Sequence, residues 1–298
     1  TRELAFDGSS SKVRVSVLNG IRYLISKNHE SHPLLQLALP ALRSLFHDVS
    51  ERVRLSMLVL LHQVNEIRSI RYFDIVPIDE LLSRLPRDTE IITSHICRLL
   101  IPSYFPHFSS TTQEHFENQN ESEKNSKNKQ IRIQILRCVT LLQRNSAAAR
   151  ILYSQLYLHV PLVRVCEFIR AFGKALVHES FPNALLKKSS DKDQTQALML
   201  LRESCFELLA DVITGVSISL KKESNLSLKN YLESGFYQHQ ILIKMLSTSN
   251  GIKRCEASVW RMAACIGGND QMLNEEMSSS EMWRNEMNCY LNAREIQG

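Results

Sequence analysis

Apolar positions over the first hundred residues recur at helical intervals and stop at short polar turns, which predicts a succession of amphipathic helices. Pro33-Leu34-Leu35 opens one of them, since proline is tolerated in a helix's first turn, and Leu34, Leu37, Ala41, Leu42 and Leu45 form its stripe. The turn His47-Asp48-Val49-Ser50 follows, where Ser50 or Asp48 can cap the next helix through a side-chain oxygen. That helix is expected to carry Val53, Met57, Leu60, Leu61 and Val64 inward. A third unit starts near Val76-Pro77-Ile78, turns at Pro86-Arg87-Asp88 and continues with Ile92, Ile96, Leu99 and Leu100.

Two of these units line up residue by residue at a spacing of 40. Asp7 precedes Val13-Arg14, Ser16, Val17 and Ile21, and Asp48 precedes Val53-Arg54, Ser56, Met57 and Leu61. Ile92 lies 39 residues after Val53, with Thr93 where the other two units have Arg14 and Arg54. A period near 40 with paired helices is the mark of a HEAT-type repeat. Such a unit cannot bury its apolar face alone, so neighbours must stack. The expected fold is therefore all-α, a HEAT-like α-solenoid of antiparallel helix pairs. In stacked pairs a turn Asp and a second-helix Arg meet the same groups of adjacent repeats. Asp7, Arg14, Asp48 and Arg54 are thus candidates for a structural ladder of charge-assisted hydrogen bonds. The other reading is that Arg14 and Arg54 touch a ligand.

The pattern breaks over 109–130, where Phe116 stands alone among Ser, Thr, Asn, Gln, Glu and Lys. Such a composition buries too little surface to offset ordering entropy, and a disordered polar insert is expected over 106–130. It separates HEAT-like repeats over 1–105 from further helical repeats over 131–298. Helical patterns resume at 131–143, 147–158, 160–178, 197–220, 228–247 and 253–266, with polar interruptions at 187–196 and 221–230.

Composition agrees with helices joined by short loops: 44% of the 298 residues are apolar, with only 9 Gly and 8 Pro. The net charge of +5 permits contact with nucleic acid without requiring it. Its placement is uneven. Residues 131–175 hold six Arg and Lys174 against the single acid Glu167, a balance of +6. On a helix through 131–144, Ile131, Ile135, Val139 and Leu142 make the buried stripe, leaving Arg137 and Arg144 on the opposite face. Guanidinium groups spaced along one exposed face suit a phosphate backbone, so Arg132, Arg137, Arg144 and Arg150 are candidate DNA contacts. The bland reading is a solvated face. Residues 41–105 by contrast carry eight Arg and eight acids. There Arg68 and Arg71 beside Tyr72-Phe73 read either as a basic-aromatic patch or as packed aromatics under arginine stems.

Signals for chemistry are absent. The sequence has no Walker loop, no G-x-G-x-x-G and no G-x-S-x-G. His29-Glu30-Ser31-His32 has the wrong spacing for a metalloprotease helix and runs into Pro33. The seven cysteines (97, 138, 166, 205, 255, 265 and 289) show no C-x-x-C spacing and are expected to be buried, reduced thiols. No catalytic residue, metal or cofactor is expected. No apolar run approaches the roughly 20 residues a membrane span needs, no signal peptide is apparent, and no membrane partner is expected. The chain opens at Thr1 in mid-pattern and is expected to be a fragment of a longer protein.

Longer runs carry a resemblance. His32-Pro33-Leu34-Leu35, Leu39-Pro40-Ala41-Leu42-Arg43, His47 to Arg54, and Ile67 to Leu85 with its Ile75-Val76-Pro77 are similar to the G-type HEAT subunits of condensin II. So are Arg137-Cys138-Val139-Thr140-Leu141-Leu142-Gln143 and Asn145 to Arg150, and the similarity runs from Leu4 to about Leu176. The resemblance implies a non-enzymatic regulatory subunit of a chromosome-condensing complex acting in mitosis. It implies a nuclear, chromosomal location, a kleisin subunit and duplex DNA as partners, and separate structural-maintenance-of-chromosomes ATPases. Arg144 and the insert depart from that family's pattern, and no family DNA motif maps onto this stretch residue by residue. The alternative is a generic HEAT scaffold, a transport or phosphatase adaptor, without a nucleic-acid role.

Overall fold

The computed structural model describes residues 2–67, 69–106, 121–178, 181, 192–223, 226–237, 241–249 and 252–266. Its secondary structure among these residues is entirely helical. Two compact units divide the chain at Phe168–Ile169.

The N-terminal unit begins with α1 (Arg2–Ala5) and α2 (Ser11–Lys27), then α3 (His32–Ala38) running into a 3₁₀ segment, Leu39–His47. It continues with α4 (Glu51–Asn65), α5 (Tyr72–Ile75), α6 (Ile78–Arg84), a 3₁₀ turn over Leu85–Arg87, and α7 (Glu90–Tyr104). Next come α8 (Glu121–Arg144), α9 (Ser146–Ser154), α10 (Leu156–His159) and α11 (Leu162–Val177), within which the division falls. Helices α2, α4 and α7 pack side by side, each paired with the shorter helical segments before it. The expected inward positions of α4, Val53, Met57, Leu60, Leu61 and Val64, are all fully buried, as are Ile92 and Ile96 on α7. Apolar contact between successive second helices is the repeat interface, the main stabilising term in a stacked array.

Residues 107–120 of the polar insert lie outside the described residues. Residues 121–130 belong to α8, ten residues ahead of the helix start read from apolar periodicity. Straight-chain Glu, Lys and Gln extend a helix already formed at little cost, even with no apolar stripe to mark them. Buried Gln134 and half-buried Gln130 both donate to the Pro106 carbonyl, at 2.9 and 3.0 Å, tying α8 to the end of α7. The single helix expected over 147–158 is broken at Gln155, which caps α9 and precedes α10.

The C-terminal unit, Ile169–Gly298, contains α12 (Lys192–Glu223), α13 (Leu226–Tyr237), α14 (Ile241–Ser249) and α15 (Lys253–Ile266). Long α12 packs along α15, and Arg261 of α15 donates to Asp211 at 2.7 Å and to the Glu207 carbonyl at 3.0 Å. Arg170 lies 4.2 Å over the Tyr231 ring, a close cation–π contact. A Cβ at Gly235 would overlap the Arg170 side chain, so glycine there admits that approach. No described helix is long and apolar enough to cross a membrane.

Candidate nucleic-acid interface and inter-repeat ladder

The second helices α2, α4 and α7 start at Ser10, Ser50 and Thr89, with an Asp one to three residues upstream of each. These serines and this threonine make no side-chain cap bond. The aspartates close the turns instead. Asp7 Oδ1 accepts the Ser9 amide at 2.7 Å, Asp48 Oδ1 that of Ser50 at 2.8 Å, and Asp88 Oδ1 that of Thr89 at 2.9 Å.

In the first two repeats an arginine joins its own turn to the next. Arg14 donates to the Asp7 carbonyl, and its Nη2 donates to Asp48 Oδ1 at 3.0 Å. Its Nε lies 2.8 Å from Asp48 Oδ2, off the line of a hydrogen bond. Arg54 donates to the carbonyls of Asp48 and Val49 at 2.9 and 3.0 Å, and forks onto both oxygens of Asp88 at 2.8 and 3.0 Å. The Asp88 side chain is only 1% exposed and also accepts Arg84 Nε at 2.7 Å. Burial alone would push the Asp88 carboxyl up, but hydrogen bonds from Arg54, Arg84 and the Thr89 amide outweigh it and hold it below the ordinary carboxylate value. The sequence pattern did not mark Asp88 as a rung, although it lies 40 residues after Asp48. Thr93 stands four residues after its helix start, as Arg14 and Arg54 do, and bonds the Leu85 carbonyl at 3.2 Å. Among the described contacts, the rungs therefore run Asp7–Arg14–Asp48–Arg54–Asp88.

The candidate DNA-contacting arginines do not form one uniform set. Arg132, Arg137 and Arg144 are exposed on α8, with Lys129 between them around the helix. At 1.5 Å rise per residue, Arg132 to Arg144 spans about 18 Å, roughly five base-pair steps of duplex DNA. Arg150 is half-buried on α9. Two of the exposed arginines already have protein partners. Arg137 donates to the Ser103 carbonyl in the last turn of α7, a favourable place for a cation. Arg144 Nη2 lies 2.7 and 2.8 Å from the oxygens of Asp79 on α6.

Arg71 pairs with Asp74 at 2.9 Å and lies 5.2 Å over half-exposed Phe73, while Tyr72 is buried; Arg68 is outside the described residues. His32, from the discounted metalloprotease-like run, is buried with Nε2 at 3.0 Å from the Ile25 carbonyl. Among the described residues no group of His, Cys, Asp and Glu could hold a metal. The six described cysteines form no disulfide, and five of them are buried; Cys289 lies outside the described residues. Burial pushes the Cys97 thiol up to about 12, so it stays protonated and inert.

Sequence reasoning missed a histidine cluster. His62 on α4 sets Nε2 at 3.0 Å from the His95 carbonyl on α7, and their rings lie 5.4 Å apart. His159 on α10 sits 3.5 Å from Ser94 Oγ. Burial, with His95 and Arg98 beside it, drives His62 down to about 4. Burial and Arg98 lower His95 and His159 as well. The three residues are 33 and 64 positions apart, so no local spacing announces them.

Comparison with known proteins gives one consistent family. The chain is 33% identical over 184 residues to condensin-2 complex subunit G2 of Xenopus laevis, covering 61% of this chain and 14% of that protein. The human subunit G2 is 33% identical over 176 residues, 59% of this chain and 14% of its own length. The Danio rerio protein is 30% identical over 191 residues, 64% and 14%. No protein-family model and no solved structure matches the chain. The chain thus spans about one-seventh of the length of these curated relatives, at 14%. Over some three-fifths of its residues, this all-helical chain is similar to subunit G2 of the condensin-2 complex, the resemblance its turn and helix motifs carry.

Proposed function

We propose that the chain forms part of a non-catalytic regulatory subunit of a condensin-2 complex, holding the kleisin subunit and contacting duplex DNA during mitotic chromosome condensation. The similarity to subunit G2 carries the assignment to that complex. The exposed arginines of α8 support the DNA contact. Arg132, Arg137 and Arg144 lie within one arc of the helix and face solvent, while Ile135, Val139 and Leu142 face the core. Contacts of this kind set affinity and orientation without reading sequence, and they release condensed counterions on binding. Arg150, half-buried on α9, which packs against α8, is a further candidate contact. The ATPase work belongs to separate structural-maintenance-of-chromosomes subunits, with nucleus and chromosomes as the setting.

A salt series separates this reading from a protein-only scaffold. Duplex DNA is titrated against the 298-residue chain and against Arg137→Glu/Arg144→Glu. The expected result is binding that weakens steeply with salt, with affinity and slope both reduced in the variant. Equal slope and affinity in the two proteins would remove these arginines from the interface. Failure to co-purify with any of a set of overlapping kleisin segments would remove the kleisin partner.

A further inference from the structure

The ion pair between α6 and α8 bears on how the arginine face is used, and its role there rests on the DNA contact proposed for α8. Arg144 and Asp79 are 65 residues apart, and one guanidinium nitrogen serves both carboxylate oxygens. That bifurcated contact lacks the two parallel bonds of the buried Arg54–Asp88 fork. Both side chains are open to water, at 61% and 66% exposure, so the pair is held weakly and is readily displaced. Asp79 also sits in the first turn of α6, where a carboxylate is favoured without any cation partner. Its role in the fold is therefore small, while its charge lies against the most C-terminal arginine of the α8 face.

We propose that Asp79 is an intramolecular competitor for phosphate at this face. In the free protein its carboxylate occupies Arg144. A DNA phosphate reaching Arg144 must displace it, so one ion pair is exchanged for another and fewer counterions are released. Neutralising Asp79 leaves Arg144 available to phosphate from the outset.

The test titrates a labelled DNA duplex with the 298-residue chain, Asp79→Asn, Arg144→Gln and the double variant across a salt series, with circular dichroism confirming an unchanged helical fold. Asp79→Asn is expected to tighten binding at low salt by about two- to fivefold, the weight of an exposed ion pair. Its salt slope is expected to steepen by up to about 0.9, the contribution of one added phosphate contact. Most of that gain should vanish when Arg144 is Gln. Unchanged affinity and slope in Asp79→Asn, with native binding intact and Arg144→Gln weakened, would overturn the competition while leaving the DNA contact standing. A gain that persists undiminished in the double variant would also overturn it, reducing Asp79 to a general charge. Absence of native binding at every salt concentration would bring down both readings.

Discussion

Arg54 on α4 grips the Asp88 carboxylate of the following turn with two nitrogens, at 2.8 and 3.0 Å, while holding the Asp48 carbonyl of its own turn at 2.9 Å. Both side chains are at least nine-tenths buried. Removing one partner strands the other in a low-dielectric seam between repeats. Asp88→Ala is therefore expected to destabilise the N-terminal unit by on the order of 3 kcal/mol. Denaturant unfolding of Asp88→Ala, Arg54→Ala and the double variant checks this. A cycle in which the two losses simply add would mean that the pair does not couple the repeats.

Stability should fall on mild acidification because of the histidine cluster. The folded-state value of His62 is depressed from 6.5 to about 4, so below pH 6.5 the unfolded chain binds a proton that the folded chain refuses. The contribution is fully present above pH 6.5 and is lost as pH falls towards 4, with His95 and His159 acting in the same direction. For partly buried His62 the loss amounts to about 1–3 kcal/mol. His62→Gln is expected to flatten melting temperature against pH across that window. The native slope surviving in this variant would count against His62.

The Asp88 carboxylate adds a second acid limb at lower pH. Its folded value lies below the ordinary 3.8, so its contribution is present above that value and disappears as pH falls through the lowered one. Asp88→Asn should lack this limb while keeping the histidine limb above it, a difference readable in the same melting series.

Met57 reports the packing between second helices. It is fully buried on α4, which packs against both α2 and α7. Met57→Ala is expected to cost about 2–5 kcal/mol through lost transfer energy and the cavity left behind. Met57→Leu, close in volume, should cost under about 1.5 kcal/mol. Similar losses in the two variants would point to something other than cavity formation.

Buried thiols give a reading of opening in solution. Cys97 and Cys205 are fully buried, and burial raises both thiols above their ordinary value. Neither is expected to react with a maleimide in the native protein, and both should react once denaturant unfolds the chain. Mass spectrometry of labelled peptides resolves them individually. Rapid native labelling of Cys97 would show that the α7 face opens.

The helices and the period of the second helices are legible in the chain alone, and so is the buried face of α4. The stripe expected before it is not, since Leu34, Leu37 and Ala41 are exposed while Leu35 and Leu39 are buried, where α3 gives way to the 3₁₀ segment. The single helix expected over 228–247 is two, α13 and α14. Apolar spacing is a local property of a 3.6-residue repeat, so Val53, Met57, Leu60, Leu61 and Val64 could be assigned inward before any contact was known. The Asp and Val-Arg recurrence likewise exposed two repeats, and its longer runs carried the condensin-2 resemblance. The polar start of α8 was less legible, because helix propensity without an apolar stripe resembles a solvated loop. Which charges meet is settled by the folded arrangement. Arg54 finds Asp88 34 positions away, Arg144 finds Asp79 65 away, and three histidines from α4, α7 and α10 gather beside Arg98. Such partners are chosen by how stacked helices place their turns and side faces, and separation along the chain carries no trace of that geometry.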